Sequence, residues 1–303
     1  MKRRDILNIG MVGLGKMGLN LALNLTSNGI SVTGYDLNES STALAKEKGL
    51  EIAANIHELV QSLPQPRILW VMVPAGEATK NVVEELGAEL DKADMVVDGG
   101  NSFYEDSIAN YRILKEKGIY FFDCGTSGGM EGALSGGNFM IGGDEAAFKQ
   151  LEPVFEKIAQ PGGYLYTGKI GSGHYLKMVH NGIEYGMMQA IGEGFDLLAH
   201  SPYTYQNDKV AALWNNGSVI RSWLMELAAE AFADDPRLEG IKGTMYSSGE
   251  GQWTVEEALK RKVPVPVIAT SLMMRYRSLE EDTFTGKVVA SLRKGFGGHE
   301  VKK

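Results

Sequence analysis

The sequence predicts an α/β domain with a doubly wound, mostly parallel sheet, followed by an all-α domain. Over residues 1–170, short apolar runs alternate with longer stretches of helical periodicity, a pattern typical of parallel sheets covered by helices. Over residues 171–292, strand signals almost vanish and helical patterns follow one another. We predict a short tail over residues 293–303. A chain of 303 residues is long enough for two domains of this kind.

The individual elements follow from the periodicity of apolar residues. Helices in the first domain are predicted over 16–28, ending before Gly29, and over 144–158. The second domain is predicted to contain helices over 172–200, 204–214, 219–232, 254–261 and 265–282. The predicted strands of the first domain are Ile6–Val12, Ile30–Tyr35, Ile68–Val73, Met95–Asp98, Ile119–Phe122, Phe139–Ile141 and Tyr164–Tyr166.

Composition and charge narrow the classes of function. The net charge is −8 and no long run of Lys or Arg occurs, so the basic stripe of a nucleic-acid-binding protein is missing. No apolar run approaches the roughly 18 residues of a transmembrane helix, and the basic start Lys2–Arg4 is not followed by the uninterrupted apolar segment of a secretory signal. The single cysteine, Cys124, excludes an internal disulfide and favours a reducing, cytoplasmic setting.

A glycine-rich loop between the first strand and the first helix predicts a dinucleotide site. The loop reads Gly13-Leu14-Gly15-Lys16-Met17-Gly18, which is the G-x-G-x-x-G pattern in its required context. The first glycine makes a tight turn, the second lets the backbone approach a pyrophosphate at the helix N-terminus, and the third lets helix and strand pack closely. A purely structural glycine-rich turn is the alternative, but the strand–turn–helix context favours a Rossmann-type nucleotide fold.

An acidic residue, Asp36, closes the second predicted strand 18 positions beyond Gly18. A carboxylate at this place accepts hydrogen bonds from the 2′-hydroxyl of a ribose and repels a 2′-phosphate, which favours NAD⁺ over NADP⁺. A solvent-facing aspartate is the alternative, and the nearby Lys46 and Lys48 leave NADP⁺ open. After the next long strand, Val73-Pro74 is predicted to form another wall of the nucleotide crevice or, alternatively, a simple turn.

Four polar residues on one predicted helix form a candidate catalytic group. Lys177, His180, Asn181 and Glu184 stand at i, i+3, i+4 and i+7, so they share one face of the helix. A polar stripe among apolar neighbours is costly to bury unless it meets a ligand; a solvated face with an internal Lys–Glu pair is the alternative. A lysine in a crevice acts as a base or polarises a carbonyl, and a carboxylic acid returns a proton. Because no cluster has metal-ligand spacing, we expect chemistry without a metal.

The stretch Gly171–Tyr185 closely resembles the signature of decarboxylating 6-phosphogluconate dehydrogenases. The segments Asp98–Ser102 and Ser127–Gly129 and the tail pattern Arg293-x-x-Phe296-Gly297-x-His299 resemble the same family. So do Trp253 and Pro264 followed by Arg275. The chain is much shorter than common members and resembles the compact, NAD-preferring subgroup. The wider β-hydroxyacid dehydrogenase superfamily shares the glycine fingerprint, the Ser-Gly-Gly run and the lysine.

The resemblance implies oxidative decarboxylation of 6-phosphogluconate to ribulose 5-phosphate and CO₂, a step of the pentose phosphate pathway and of gluconate use. Lys177 would accept the proton of the 3-hydroxyl, Glu184 would protonate C1 of the enediol, and Asn181 would assist them. Tyr185 and Arg275 would hold the phosphate, whereas Arg293 and His299 would reach the site of a neighbouring subunit in a homodimer or homotetramer. The residues implied to hold the substrate carboxylate and hydroxyls are Asn101, Ser127, Gly128, Gly129, His180 and Asn181, with Asn101 also implied to contact the cofactor.

The sequence departs from the common family pattern at two places. Asp36-Leu37-Asn38 replaces the Asn-Arg-Thr/Ser run of members that use NADP⁺, which again favours NAD⁺. Ser248-Gly249-Glu250 replaces a Lys-Gly-Thr run that binds the phosphate, so the site loses a lysine and gains a carboxylate. This second departure keeps open a β-hydroxyacid dehydrogenase acting on a short, non-phosphorylated acid. A catalytically silent NAD-binding regulatory module is a third possibility, against which the presence of Lys177, Asn181 and Glu184 speaks.

Overall fold

The α/β part of the chain is built on one sheet. The computed structural model describes residues 7–302, so the predicted strand start at Ile6 lies outside the described residues. Within residues 7–302 the sheet has eight strands in the order β3-β2-β1-β4-β5-β6-β7-β8, all neighbours being parallel except β6 and β7. This confirms the predicted fold class. The strands are β1 (Asn8–Val12), β2 (Ser31–Tyr35), β3 (Glu51–Ile52), β4 (Ile68–Val71), β5 (Met95–Asp98), β6 (Tyr120–Ser127), β7 (Gly137–Gly142) and β8 (Ala159–Gly168).

Helices cover both faces of this sheet because its central strands are apolar on both sides. In β4, Ile68 and Trp70 join one buried cluster, whereas Leu69 and Val71 join the other, as the two-residue repeat of a strand requires. The first cluster includes residues of α1 and α7, and the second includes residues of α3, α4 and α5. The helices of this part are α1 (Lys16–Ser27), α2 (Glu39–Glu47), α3 (Ile56–Gln61), α4 (Glu77–Glu89), α5 (Tyr104–Lys115), α6 (Gly129–Ser135) and α7 (Glu145–Ile158).

The second part of the chain is helical, as predicted. Its small core joins Phe195, Ala211, Met225 and Phe232. None of the helices in the described range combines the length and apolar character that crossing a bilayer requires. The helices are α8 (Ser172–Ala199), α9 (Asn207–Asn215), α10 (Trp223–Asp234), α11 (Gly249–Arg261), α12 (Pro266–Ser278) and α13 (Phe284–Gly297).

The structure corrects several predicted elements. Helix α11 begins at Gly249, before the predicted residue 254, and helix α12 ends at Ser278, before the predicted residue 282. The two-residue strand β3 was not predicted because it is too short to show alternation. Strand β8 begins earlier than the predicted Tyr164, in a segment containing Pro161 and two glycines. Helix α13 was not predicted, and it continues to Gly297, into the segment 293–303 that was predicted as a tail. The chain divides into units Met1–His180 and Asn181–Lys303, within α8, while the domain boundary at residue 170 stays a prediction.

Candidate active site

The glycine-rich loop has the geometry of a nucleotide cradle. Gly13 has a φ of 98°, and a Cβ there would lie 2.5 Å from the carbonyl oxygen of Met72. A Cβ at Gly18 would collide with the carbonyl oxygen of Gly13, so α1 packs on the turn as closely as backbone allows. At Gly15, the N-cap of α1, a Cβ would meet no atom of the described chain within 4 Å. The space beside Gly15 and the absence of acidic residues in the first turn of α1 suit a pyrophosphate.

The carboxylate of Asp36 is fixed by the backbone around it. Its Oδ2 accepts the N–H of Leu14 at 2.6 Å and its Oδ1 accepts the N–H of Asn38 at 2.7 Å. Each carboxylate oxygen retains a further lone pair for a ribose hydroxyl. Leu37, beside it, is 89% exposed. The Cγ1 of Val73 would lie 3.0 Å from a Cβ at Gly13, so the segment after β4 borders the glycine loop.

The loop after β5 is tied to β6. Asn101 has a φ of 53°, and its side-chain amide exchanges two hydrogen bonds with the backbone of Thr126, at 2.8 and 3.1 Å. Asp98 is fully buried and accepts the hydroxyl of Ser102 at 2.7 Å. Asn101 therefore fastens together two loops at the carboxyl ends of neighbouring strands, a structural role that the sequence did not reveal.

Lys177 is buried against the sheet. Its side chain is only 5% exposed, and a Cβ at Gly125 in β6 would collide with the Cβ of Lys177. The Nζ of Lys177 lies 3.5 Å from Nδ1 of His180, and Nε2 of His180 lies 3.4 Å from the hydroxyl of Ser127. The structure thus brings together Lys177, His180 and Ser127, while their roles in a site stay predictions. Gly128, with a φ of 107°, follows Ser127 and begins α6.

The first turn of α8 is anchored by Asp123, which the sequence analysis missed. This fully buried carboxylate of β6 accepts the N–H groups of Gly171 at 2.7 Å and His174 at 2.8 Å. Burial raises the pKa of Asp123, while His174 and the backbone N–H donors oppose that rise. His174 is itself buried, with Nδ1 2.7 Å from the Ser107 hydroxyl and with Nε2 lacking a hydrogen-bond partner among residues 7–302. An acidic residue inside the apolar run of β6 was the signal available in the sequence.

The helical unit holds a second group of predicted site residues. The hydroxyl of Tyr185 accepts the N–H of Ser248 at 2.9 Å and lies 3.1 Å from the hydroxyl of Ser248. The guanidinium carbon of Arg275 lies 3.6 Å from the centre of the Tyr185 ring, a cation–π geometry. Asn181 donates from Nδ2 to Oε1 of Glu250 at 3.1 Å. Glu184 is half-buried on the same helix as Asn181.

The remaining predicted residues lie at the surface. Arg293 belongs to α13, which has no buried residue in the described part of the chain, and His299 follows the end of that helix. Within residues 7–302, no three His, Cys, Asp or Glu side chains are arranged to hold a metal ion. The roles of Arg293 and His299 stay predictions.

The glycine cradle, the fixed carboxylate of Asp36 and the buried lysine define a nucleotide-dependent oxidoreductase. Two family models cover the chain: the NAD binding domain of 6-phosphogluconate dehydrogenase matches residues 8–172, and the C-terminal domain of 6-phosphogluconate dehydrogenase matches residues 173–294. The chain belongs to the 6-phosphogluconate dehydrogenase family.

Individual relatives agree with this membership. The Bacillus subtilis protein YqeC, provisionally named a 6-phosphogluconate dehydrogenase, is 54% identical over 98% of this chain and 100% of its own length. An NAD(+)-dependent, decarboxylating 6-phosphogluconate dehydrogenase of Haloferax volcanii is 43% identical over 98% of this chain and 99% of its own. The solved 6-phosphogluconate dehydrogenase of Plasmodium falciparum, described with its cofactor NADP⁺ and with 6-phosphogluconate, is 32% identical with a TM-score of 0.82, over 98% of this chain and 66% of that one.

Proposed function

We propose that this protein catalyses the oxidative decarboxylation of 6-phosphogluconate to ribulose 5-phosphate and CO₂, with NAD⁺ as the oxidant. The observation that carries the proposal is the burial of Lys177 against Gly125, with its Nζ beside His180. A lysine amine in such a place exchanges protons with a bound substrate rather than with bulk water. The family membership supplies the substrate class, because one relative is named an NAD(+)-dependent, decarboxylating 6-phosphogluconate dehydrogenase and another is described with 6-phosphogluconate as its substrate.

The residues of α8 divide the proton transfers between them. Lys177 accepts the proton of the substrate 3-hydroxyl while C3, the carbon that carries this hydroxyl, is oxidised. The protonated lysine then stabilises the negative charge that collects on the 3-oxygen while the bond between the carboxyl carbon and C2 breaks and CO₂ leaves. Glu184 delivers a proton to C1 of the resulting enediol, which is the carbon that was C2 of the substrate. Asn181, between the two on the same helix, hydrogen-bonds the substrate, and NAD⁺ supplies the hydride acceptor when it is bound.

The preference for NAD⁺ rests on the wall formed by Asp36. Its carboxylate is held at Leu14 and Asn38, where a 2′-phosphate would meet a negative charge without a neighbouring arginine. The cofactor site consists of the glycine cradle, Asp36 and the Val73-Pro74 wall. Asn101, whose amide is engaged with Thr126, acts there through its backbone and through the shape of its loop.

The groups of the substrate are assigned to individual residues of the family motif. Ser127, Gly128 and Gly129 at the start of α6 bind the carboxylate, and His180 binds a hydroxyl. Tyr185 and Arg275, stacked on each other, bind the phosphate. These assignments follow the family motif residue by residue. The backbone N–H groups of Gly128 and Gly129 and the polar side chains of the other residues have hydrogen-bonding capacity compatible with their assigned groups.

The active form is a homo-oligomer with shared sites. Helix α13 carries Arg293 and leaves Phe284, Leu292 and Phe296 between 62% and 79% exposed, an apolar face that a second copy covers. Arg293 and His299 then complete the site of that second copy. The protein works in the cytoplasm, within the pentose phosphate pathway or gluconate use; the free thiol of Cys124 supports a reducing compartment.

One assay tests the reaction. Purified protein is mixed with 6-phosphogluconate and with either NAD⁺ or NADP⁺, and both the absorbance of the reduced cofactor and the release of CO₂ are followed. We expect stoichiometric CO₂ and a faster rate with NAD⁺. Absence of turnover with both cofactors contradicts the proposal. Reduction without CO₂ points to a simple dehydrogenase. The second candidate, a β-hydroxyacid dehydrogenase acting on a short, non-phosphorylated acid, is favoured by the carboxylate of Glu250 in the first turn of α11.

A further inference from the structure

Glu250 is the site residue that the proposed function leaves unexplained. It replaces an uncharged residue of the common family pattern and places a carboxylate near the groups assigned to a phosphate. Its location is sharply defined, because α8 and α11 approach each other through two glycines. A Cβ at Gly182 of α8 would lie 2.7 Å from Cγ2 of Thr254, and a Cβ at Gly251 of α11 would collide with the ring of Tyr185. This close crossing holds Glu250 against Asn181.

The hydrogen bond between Asn181 and Glu250 has a fixed direction, from donor to acceptor. Oε1 of Glu250 lies 3.1 Å from Nδ2 of Asn181. An ionised carboxylate only accepts hydrogen bonds, whereas an amide has a donating and an accepting end. Glu250 therefore selects the rotamer of Asn181 in which Nδ2 turns toward α11 and Oδ1 is held on the other side of the amide. A threonine at position 250 would allow either orientation, because a hydroxyl both donates and accepts.

We propose that Glu250 is a positioning residue that presents the Oδ1 of Asn181 as a hydrogen-bond acceptor to a hydroxyl of the substrate. The inference rests on the proposed function, in which Asn181 contacts the sugar acid. The arrangement also explains why a carboxylate is tolerated at position 250. The charge is stabilised by the N-terminal turn of α11 and by Asn181, while Tyr185 and Ser248 form a separate group with Arg275. It also predicts selectivity for a substrate that donates a hydroxyl hydrogen at this point.

A double-mutant cycle tests whether Glu250 acts through Asn181. The variants are Glu250→Ala, Asn181→Ala and the double variant, with Glu256→Ala as the matched control, since Glu256 is exposed on the same helix. We expect Glu250→Ala to lower kcat/KM about tenfold in the native background and less than about twofold in the Asn181→Ala background. Glu256→Ala leaves kcat/KM within about twofold of the native value. Glu250→Gln, whose amide can accept from Asn181 or donate to it, falls between the native protein and Glu250→Ala. Equal losses from Glu250→Ala in both backgrounds overturn the proposal.

A measurement without substrate separates this inference from the proposed function. In ¹⁵N-labelled protein, the side-chain amide of Asn181 is assigned by its loss in Asn181→Ala, and its hydrogen exchange with water is compared between the native protein and Glu250→Gln and Glu250→Ala. We expect exchange to accelerate severalfold in Glu250→Ala, to lie between the two in Glu250→Gln, and to stay unchanged in Glu256→Ala. Unchanged exchange in both Glu250 variants overturns the inference. Failure of 6-phosphogluconate turnover in the native protein contradicts only the proposed function. If Glu250→Ala does not fold, Glu250→Gln decides both measurements.

Discussion

The α/β unit and the helical unit differ in how well each encloses its own apolar residues. The α/β unit buries large side chains on both faces of its sheet, for example Trp70 and Phe155 in one cluster and Phe121 in the other. The helical unit has a core of only a few residues around Phe195, and α13 buries none of its residues in the described part of the chain. Large exposed apolar surfaces are typical of interfaces. We therefore expect the nucleotide site to be complete in one chain and the substrate site to need a second copy.

Replacing the buried Lys177 is expected to have the largest effect, and it tests the α/β unit, which encloses its own core. Lys177→Ala should lower kcat/KM by roughly 10³-fold, because general acid–base catalysis contributes about 10²–10⁴-fold and Lys177 also stabilises charge. The dissociation constant for NAD⁺, measured by titration calorimetry, should stay within about twofold. Lys149→Ala, an exposed lysine of α7, is the control. A large loss of NAD⁺ affinity in Lys177→Ala would contradict the assigned role.

A charge placed on the apolar face of α13 tests whether the helical unit associates with a second copy. Leu292 is 62% exposed, and Leu292→Asp should weaken self-association about 10- to 100-fold, since burial of a leucine contributes roughly 1.5–3 kcal/mol. Sedimentation velocity over a range of concentrations measures the change, and activity should fall with dissociation while NAD⁺ affinity holds. Ser291→Asp, the exposed neighbour, serves as control. A monomeric native protein with full activity would refute the shared site.

A methyl group placed beside the lysine sharpens the comparison within the α/β unit. Gly125→Ala puts its Cβ against the Cβ of Lys177, and overpacking of this kind costs about 1–3 kcal/mol. We expect a lower Tm and a roughly tenfold lower kcat. Gly132→Ala in α6, where the nearest atom to a new Cβ is 3.5 Å away, should leave both values almost unchanged. Equal behaviour of the two variants would mean that Gly125 does not position Lys177.

Changing Asp36 and Leu37, the residues proposed to face the cofactor ribose, is expected to have the smallest effect. Asp36→Ala combined with Leu37→Arg removes the negative charge and adds a phosphate-binding group. The ratio of kcat/KM for NADP⁺ to that for NAD⁺ should rise about fivefold or more, equivalent to roughly 1 kcal/mol. Steady-state rates with each cofactor measure it. An unmoved ratio would show that Asp36 does not set the preference, and Glu39→Ala on the exposed start of α2 controls for a general charge effect.

The sequence predicts the elements whose patterns are local. The strand–turn–helix around Gly13, the apolar strands and the long helix α8 have repeats that can be read along the chain. The two-residue β3 is formed by pairing with β2, which no local pattern records. Helix α13 was not predicted, because Gly286, Gly295 and Gly297 weaken the helical signal of this segment.

In the candidate site, too, contacts within one helix could be predicted from the sequence, whereas contacts between distant segments could not. The spacing of Lys177 and His180 on one helix predicted their proximity, and the structure confirms it at 3.5 Å. The anchoring of α8 by Asp123 joins residues 48 and 51 positions apart, so it depends on the sheet topology. The contact of Asn181 with Glu250 spans 69 positions and depends in the same way on how helices cross.

The two hydrogen bonds that hold Asp36 have a consequence for the pace of the catalytic cycle. A dinucleotide that serves as co-substrate binds and leaves in every turnover. Because Leu14 and Asn38 already fix the carboxylate, this side chain is ordered once, during folding, and loses no further rotamer freedom at each exchange. A ribose bound at Asp36 would therefore meet a rigid surface. We expect its release to be limited by the contacts that break and not by the opening of a loop.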